Sequence, residues 1–263
     1  MSKAELNERS FYESIVGGYD RMTSFEHRLE SAREFAAELT RQEKIDTAVD
    51  MACGTGLYAI ALAEKGVNVT GVDVAPGMIK AARTNAARYG VADKLSWLVR
   101  GMQQAPSESL CAKDAVTCMA NSIPHVLDRE EFSKTLANFN HMLRPGGVVV
   151  IQLLNYHRVL TQRERIVSID RKRDEEFIRF YDFLPDGTLR FNLLRVDWQS
   201  APNSEPAHEL KSVRLRPYRW DEISQALEAR GFTSIRQYGS PLFSDFNADE
   251  SLTVMITARK AGG

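Results

Sequence analysis

Several things are scarce in this chain, and each scarcity removes a class of protein. Only 3 of its 263 residues are cysteine (Cys53, Cys111, Cys118), and none form a C-x-x-C pair. That count and spacing suggest neither a disulfide framework nor a zinc site, and free thiols fit a reducing compartment. No window approaches the run of about 18 apolar residues that a membrane-spanning helix needs. Residues 1–10 are polar, unlike a secretory leader. An excess of one charge is missing too. The 34 Lys+Arg against 35 Asp+Glu leave a formal net charge of −1. That carries no global bias toward nucleic acid or anionic membrane. Internal repeats, low-complexity tracts, a Ser-His-Asp constellation and metal-ligand clusters are also lacking. The absences predict a cytoplasmic protein with no metal, no nucleic-acid partner and no membrane partner, and they leave a homo-oligomer open.

What is present is ordinary for a globular protein, with 43% hydrophobic and 26% charged residues. The length suits one large α/β domain or one domain with a substantial insertion. Residues 24–39 place Phe25, Leu29, Phe35 and Leu39 among charges, as an amphipathic helix does. The preceding residues 11–22 are aromatic, carry Gly17-Gly18, and read as a short mobile helix or a lid. From Thr47 the pattern alternates. Strands at 47–51, 67–72, 95–99, 115–119 and 148–154 are separated by helices at 58–65, 76–89 and 129–143. Such alternation predicts a Rossmann-like, doubly wound sheet.

Residues 155–219 break that rhythm. Strands are expected at 176–183, 188–199 and 210–215, with Pro185-Asp186-Gly187 as a hairpin turn and a polar loop at 201–206. The densely charged run 163–176 reads as a solvated helix face. A helix at 220–230 and strands at 233–238 and 251–259 then complete the core.

The strongest signal is Val49-Asp50-Met51-Ala52-Cys53-Gly54-Thr55-Gly56, where the first strand runs into the first core helix. Gly54 and Gly56 let the backbone turn sharply and let a ligand approach. In a doubly wound sheet this is the carboxyl end of the strands, where ligands bind. The second strand ends at Asp73, whose carboxylate can accept hydrogen bonds from two ribose hydroxyls. The bland alternative is a plain tight turn. The pairing with Asp50 and Asp73 points instead to a nucleoside-containing ligand. NAD is the rival, since residues 54–59 formally match G-x-G-x-x-A. Against it, Asp50 would sit beside the pyrophosphate, no second mononucleotide half follows, and the chain ends in a strand pair.

Residues 50–56 and Val72-Asp73 resemble the first two motifs of class I S-adenosylmethionine methyltransferases, and Leu143-Arg144-Pro145-Gly146-Gly147 resembles that family's turn before the fifth strand. The resemblance implies a seven-stranded sheet with an antiparallel last strand. It implies that Asp73 holds the ribose and that Asp50, Ala52, Gly54 and Gly56 hold the methionine end. Val74, Met78, Met102, Gln103, Met119 and Asn121 are further cofactor-binding candidates; Met102 could pack on the adenine and Gln103 hydrogen-bond it. Tyr19 and Arg28 join them from the N-terminal helices, Arg28 near the methionine carboxylate. A narrower resemblance links residues 120–125 and Asn155-Tyr156 to glycine and sarcosine N-methyltransferases. It implies that Asn121 lies in the substrate pocket. Those enzymes carry an arginine immediately before the Asn-Tyr pair; here the position is Leu154.

The expected layout is an N-terminal helical lid (1–45), a cofactor-binding core (46–156), an antiparallel insertion acting as substrate lid (157–219) and the C-terminal completion of the core (220–263). The expected reaction is methyl transfer from S-adenosylmethionine to a small-molecule acceptor, an amine, by in-line displacement. His125, Tyr156 or Tyr218 could serve as base. Tyr12, Asn121, Asn155, Tyr156, Tyr181 and Tyr218 are the substrate-binding candidates. Arg179 and Arg195 could line a pocket with positive charge but read first as ordinary strand surface, and Cys53 reads as packing. The alternatives are methylation of RNA or protein, and a non-catalytic S-adenosylmethionine-binding module.

Overall fold

Two sheets and seven α-helices make up the described residues of this computed structural model, which are 5–172, 174–198 and 207–262. In chain order they are α1 (Glu8–Thr23), α2 (Phe25–Gln42), β1 (Thr47–Met51), α3 (Leu57–Glu64), β2 (Asn68–Asp73), α4 (Pro76–Arg88), β3 (Leu95–Val99), β4 (Lys113–Cys118), α5 (Arg129–Met142), β5 (Leu143–Leu154) and α6 (Tyr156–Thr161). There follow β6 (Ile166–Lys172), β7 (Glu175–Phe183), β8 (Leu189–Asp197), β9 (Ala207–Leu215), α7 (Trp220–Glu228), β10 (Phe232–Tyr238) and β11 (Thr253–Lys260).

The larger sheet has seven strands in the order β10-β11-β5-β4-β1-β2-β3. Neighbours from β5 to β3 pair in parallel, and β11 is antiparallel to both β5 and β10. Residues 148–153 of β5 are buried without a break. Continuous apolar runs of this kind arise where helices cover both faces of a parallel sheet. The fold is therefore the Rossmann-like α/β sheet expected. β5 begins earlier than residue 148, because Pro145-Gly146-Gly147 runs on as an irregular stretch against β4. Gly147 has no room for a side chain there: a Cβ would stand 3.0 Å from the carbonyl oxygens of Arg144 and Lys113.

The second sheet is antiparallel, in the order β6-β7-β8-β9. β6 corrects the expectation of a helix face across 163–176. Its first residues, Ile166, Val167, Ser168 and Ile169, are mostly β-branched, as strand formers are, and the charges resume only at Asp170. Asp170 meets Arg179 of β7 across the ladder, Nη2 to Oδ2 2.6 Å. The polar loop expected at 201–206, with Gln199 at the end of its strand, lies outside the described residues.

α1 is a full helix of 16 residues, longer than expected. Asn7 caps it by accepting from the Ser10 N–H at 2.8 Å. It ends at Ser24, whose left-handed φ of 54° separates it from α2. Phe11 and Met22 of α1 pack on Phe177, Leu193 and Val213 of the antiparallel sheet. The second sheet and α1 thus form one apolar layer above the carboxyl ends of β1, β2 and β4. No helix of the described residues is long and apolar enough to cross a membrane.

Candidate active site

The site begins where β1 and β2 end side by side. Asp50 is 1% exposed. Its Oδ1 accepts from the Thr117 hydroxyl of β4 at 2.7 Å, while its Oδ2 is buried with no partner. Burial pushes its pKa up to about 7, against the opposing Thr117 hydrogen bond. The chain then turns through Ala52, Gly54 and Gly56, all at positive φ. Gly56 admits no side chain, because a Cβ would stand 2.9 Å from the Trp97 ring. Ala52 holds a left-handed conformation that costs a non-glycine residue energy, a strain often found at functional sites.

Asp73 closes the other side. Its Oδ2 accepts from the Gly54 N–H at 2.8 Å and its Oδ1 from the Ala75 N–H at 2.9 Å. One carboxylate thereby ties the glycine turn to the exit of β2. Burial raises its pKa, and those backbone donors oppose the rise.

Over this floor lies α1, held by two acidic straps. Asp20 accepts from the Thr55 hydroxyl at 2.5 Å and from the Asn85 amide at 2.9 Å. Glu13 accepts from the Gly77 N–H at the start of α4, 3.0 Å. The result is a cleft bounded by α1, α2 and the ends of β1 and β2. Glu8, Tyr12, Tyr19 and Arg28 form its roof. The Glu8 carboxyl is pushed up to about 8, first by burial and then by the charge of Asp73. Among the described residues no carboxylate pairs with Arg28, which hydrogen-bonds Tyr58.

A second cavity opens from the first beneath the antiparallel sheet. Tyr12, Tyr19, Arg28, Tyr58, Ala120 and His125 line both. At the junction the Tyr12 hydroxyl is 2.9 Å from His125 Nε2, and His125 Nδ1 is buried without a partner. Burial lowers the His125 pKa to about 4, so the ring is neutral at physiological pH. Asn121, at φ 66°, bridges β4 to β5: its Oδ1 accepts from the Leu154 N–H and its Nδ2 donates to the Tyr156 hydroxyl, both at 3.0 Å.

Tyr19, Arg28, Asp50, Ala52, Gly54, Asp73 and Met119 come together on the first cleft, and Tyr12, Asn121 and Tyr181 on the second cavity. Gly56 shapes the turn without lining it. Met78 and Met102 are buried, Met102 in contact with the Cys118 thiol, and Val74 and Gln103 flank Gly101 beyond Asp73. None of these four is in the cleft wall.

Three expected substrate residues are placed elsewhere. Tyr218 is fully buried, stacks on Phe132 and donates its hydroxyl to the Val126 carbonyl at 2.6 Å, away from both cavities. Asn155 caps α6 and spends its amide on the Ala248 and Ser251 carbonyls. Tyr156 sits one layer behind the wall, bonded to Asn121 and Tyr181. Arg179, weighed in the sequence as pocket lining against strand surface, lines the second cavity, while Glu8 and Tyr58 are wall residues that the sequence did not single out for this role. Tyr58 alone had a usable signal, since it follows the glycine turn directly.

The likenesses to known proteins follow this geometry. Residues 48–147 match the methyltransferase domain family. A glycine/sarcosine N-methyltransferase of Aphanothece halophytica is 25% identical over 233 residues, 88% of this chain and 83% of its own. The glycine N-methyltransferase of Rattus norvegicus is 35% identical over 135 residues, 47% of this chain and 45% of its own. Among solved structures, an S-adenosylmethionine-dependent methyltransferase from Clostridium acetobutylicum ATCC 824 shares the fold, with a TM-score of 0.78 at 15% identity over 95% of this chain and 99% of that one. The matched stretch starts in β1 and ends in the glycine turn of β5, so it spans Asp50, the glycine loop and Asp73. On these grounds residues 48–147 form a methyltransferase domain, and the chain as a whole has the fold of an S-adenosylmethionine-dependent methyltransferase.

Proposed function

We propose that the enzyme methylates the nitrogen of a small-molecule amine. The observation that carries this reading is the continuity of two unlike cavities. One is floored by Asp50 and Asp73, the other has no carboxylate in its wall among the described residues, and they meet at Tyr12 and His125. Relatives named as glycine and glycine/sarcosine N-methyltransferases support nitrogen as the accepting atom.

In this reading Asp73 accepts from the ribose hydroxyls of the cofactor. The unpartnered Oδ2 of Asp50 fits a cationic ammonium at the methionine end, since a buried carboxylate oxygen otherwise goes unsatisfied. Arg28 is available to the methionine carboxylate, with Tyr19, Ala52, Gly54 and Met119 around it. Val74, Met78, Met102 and Gln103 serve the adenine side. When bound, S-adenosylmethionine supplies a methyl group already activated on sulfonium. The protein therefore mainly orients the acceptor and excludes water, effects worth up to about 7–11 kcal/mol. α1 (within the lid 1–45) and the insertion 157–219 are the two covers over the core. Neutral His125, aligned by Tyr12, can accept a hydrogen bond from the amine or take its proton.

The test uses S-adenosylmethionine labelled with ¹³C on the methyl group and a panel of small amines. Label on nitrogen in the product supports the reading, and label on oxygen or carbon overturns it.

A further inference from the structure

We infer that the acceptor is an amine with a bulky apolar body, rather than one as small as glycine. The inference rests on the reading that the second cavity holds the acceptor amine.

Three parts of the chain converge on that cavity. α1 contributes Phe11 and Ile15, the end of β5 contributes Leu154, and the antiparallel sheet contributes Phe191, Leu193 and Leu215. The cavity has a volume of about 390 Å³, against about 50 Å³ for the first cleft. A ligand the size of glycine would leave most of these walls facing water.

The polar groups in the wall are largely spent on one another. Asn121 uses both ends of its amide on Leu154 and Tyr156. Gln152 accepts from the Ala120 N–H at 2.8 Å. Arg179 donates Nε to the Ser168 hydroxyl at 2.7 Å and Nη2 to Asp170 at 2.6 Å. Tyr181 is bonded to Tyr156, Tyr12 to His125, and Tyr58 to Arg28. No Asp or Glu among the described residues lines the cavity, so an ammonium has no counter-ion there. What the wall offers in quantity is apolar contact, which rewards a ligand in proportion to the apolar area it buries.

The protein saturated with S-adenosylhomocysteine is titrated by calorimetry with 2-phenylethylamine and with glycine. 2-Phenylethylamine is expected to bind at least roughly 30-fold more tightly, with a negative heat-capacity change. Leu193→Ala is expected to weaken that binding roughly 10-fold and Leu193→Met to retain it, while the affinity for S-adenosylhomocysteine, unchanged in both, reports an intact fold. Glycine binding as tightly as 2-phenylethylamine, or no measurable binding of the latter, overturns the inference. Tyramine, which carries an amine and a phenol, separates this inference from the reading beneath it. Tight tyramine binding with the methyl group delivered to the phenol oxygen upholds the apolar acceptor and removes nitrogen as the target. Glycine methylated in preference to tyramine keeps nitrogen and removes the apolar acceptor.

Discussion

The phenol oxygen of Tyr12 and Nε2 of His125 lie 2.9 Å apart, joining residues separated by 113 positions in sequence. This bond ties α1 to the turn after β4 at the point where the two cavities meet. The second ring nitrogen of His125 is left without a partner.

Replacing Tyr12 by Phe deprives the His125 ring of the one hydrogen bond it makes among the described residues while keeping the aromatic packing. In the proposed site kcat/KM for the acceptor falls about 10- to 100-fold, in line with about 1–3 kcal/mol for a buried polar group left unpaired. The S-adenosylhomocysteine Kd stays within about threefold by calorimetry, since Tyr12 roofs the first cleft without being one of the proposed cofactor anchors. A parallel loss of cofactor affinity would assign Tyr12 to the cofactor instead.

Asp73→Ala removes the acceptor of two backbone hydrogen bonds at the glycine turn as well as the proposed ribose contact. The affinity for S-adenosylhomocysteine is expected to fall at least about 100-fold, with Asp73→Asn intermediate. Calorimetric titration at constant salt reads this directly. An unchanged affinity would contradict the site.

Stability without ligand is expected to fall at both ends of the pH range. The Glu8 and Asp50 carboxyls are raised to about 8 and about 7 by burial. A raised folded-state pKa gives stability that is full below the unfolded value and lost as pH climbs through the folded one. The ligand-free Tm therefore declines from about pH 4.5 toward pH 8. Glu8→Gln leaves Tm unchanged near pH 4.5 and raises it increasingly toward pH 8. His125 has the opposite sign. Its pKa, lowered to about 4, makes stability fall as pH drops from 6.5 toward 4. His125→Asn removes that acid-side component. A Glu8→Gln variant whose Tm difference from the parent does not vary with pH sinks this account.

Tyr218→Phe separates packing from catalysis. The Tyr218 hydroxyl donates to the Val126 carbonyl inside the core. Its loss is expected to cost about 1 kcal/mol, a drop of a few degrees in Tm for a chain of this size. Activity stays within about twofold. An activity loss matching that of Tyr12→Phe would return Tyr218 to the reaction.

Much of this was legible before any coordinates. The alternation of strands and helices announced the large sheet. The glycine turn with Asp50 and Asp73 announced a cleft at the ends of β1 and β2, the one proposed to hold the cofactor. What misled was chemistry that looks functional and is spent internally. Asn155 and Tyr218 carry suitable groups, yet both have committed them to backbone carbonyls. The run 163–176 misled for another reason: dense charge suits an exposed strand as well as a helix face, and the β-branched Ile166, Val167 and Ile169 inside it favour the strand.

The sequence by itself determined the fold class, the turn after β1 and the two aspartates, because these depend on turn chemistry and side-chain period within a few residues. Only the tertiary structure decided that Glu8 roofs the cleft, that Arg179 faces the second cavity and that Tyr12 meets His125. Those relations depend on where α1 and the antiparallel sheet come to rest over the sheet edge. That position is set by apolar packing among Phe11, Met22, Phe177 and Leu193, residues up to 182 positions apart that no local pattern connects.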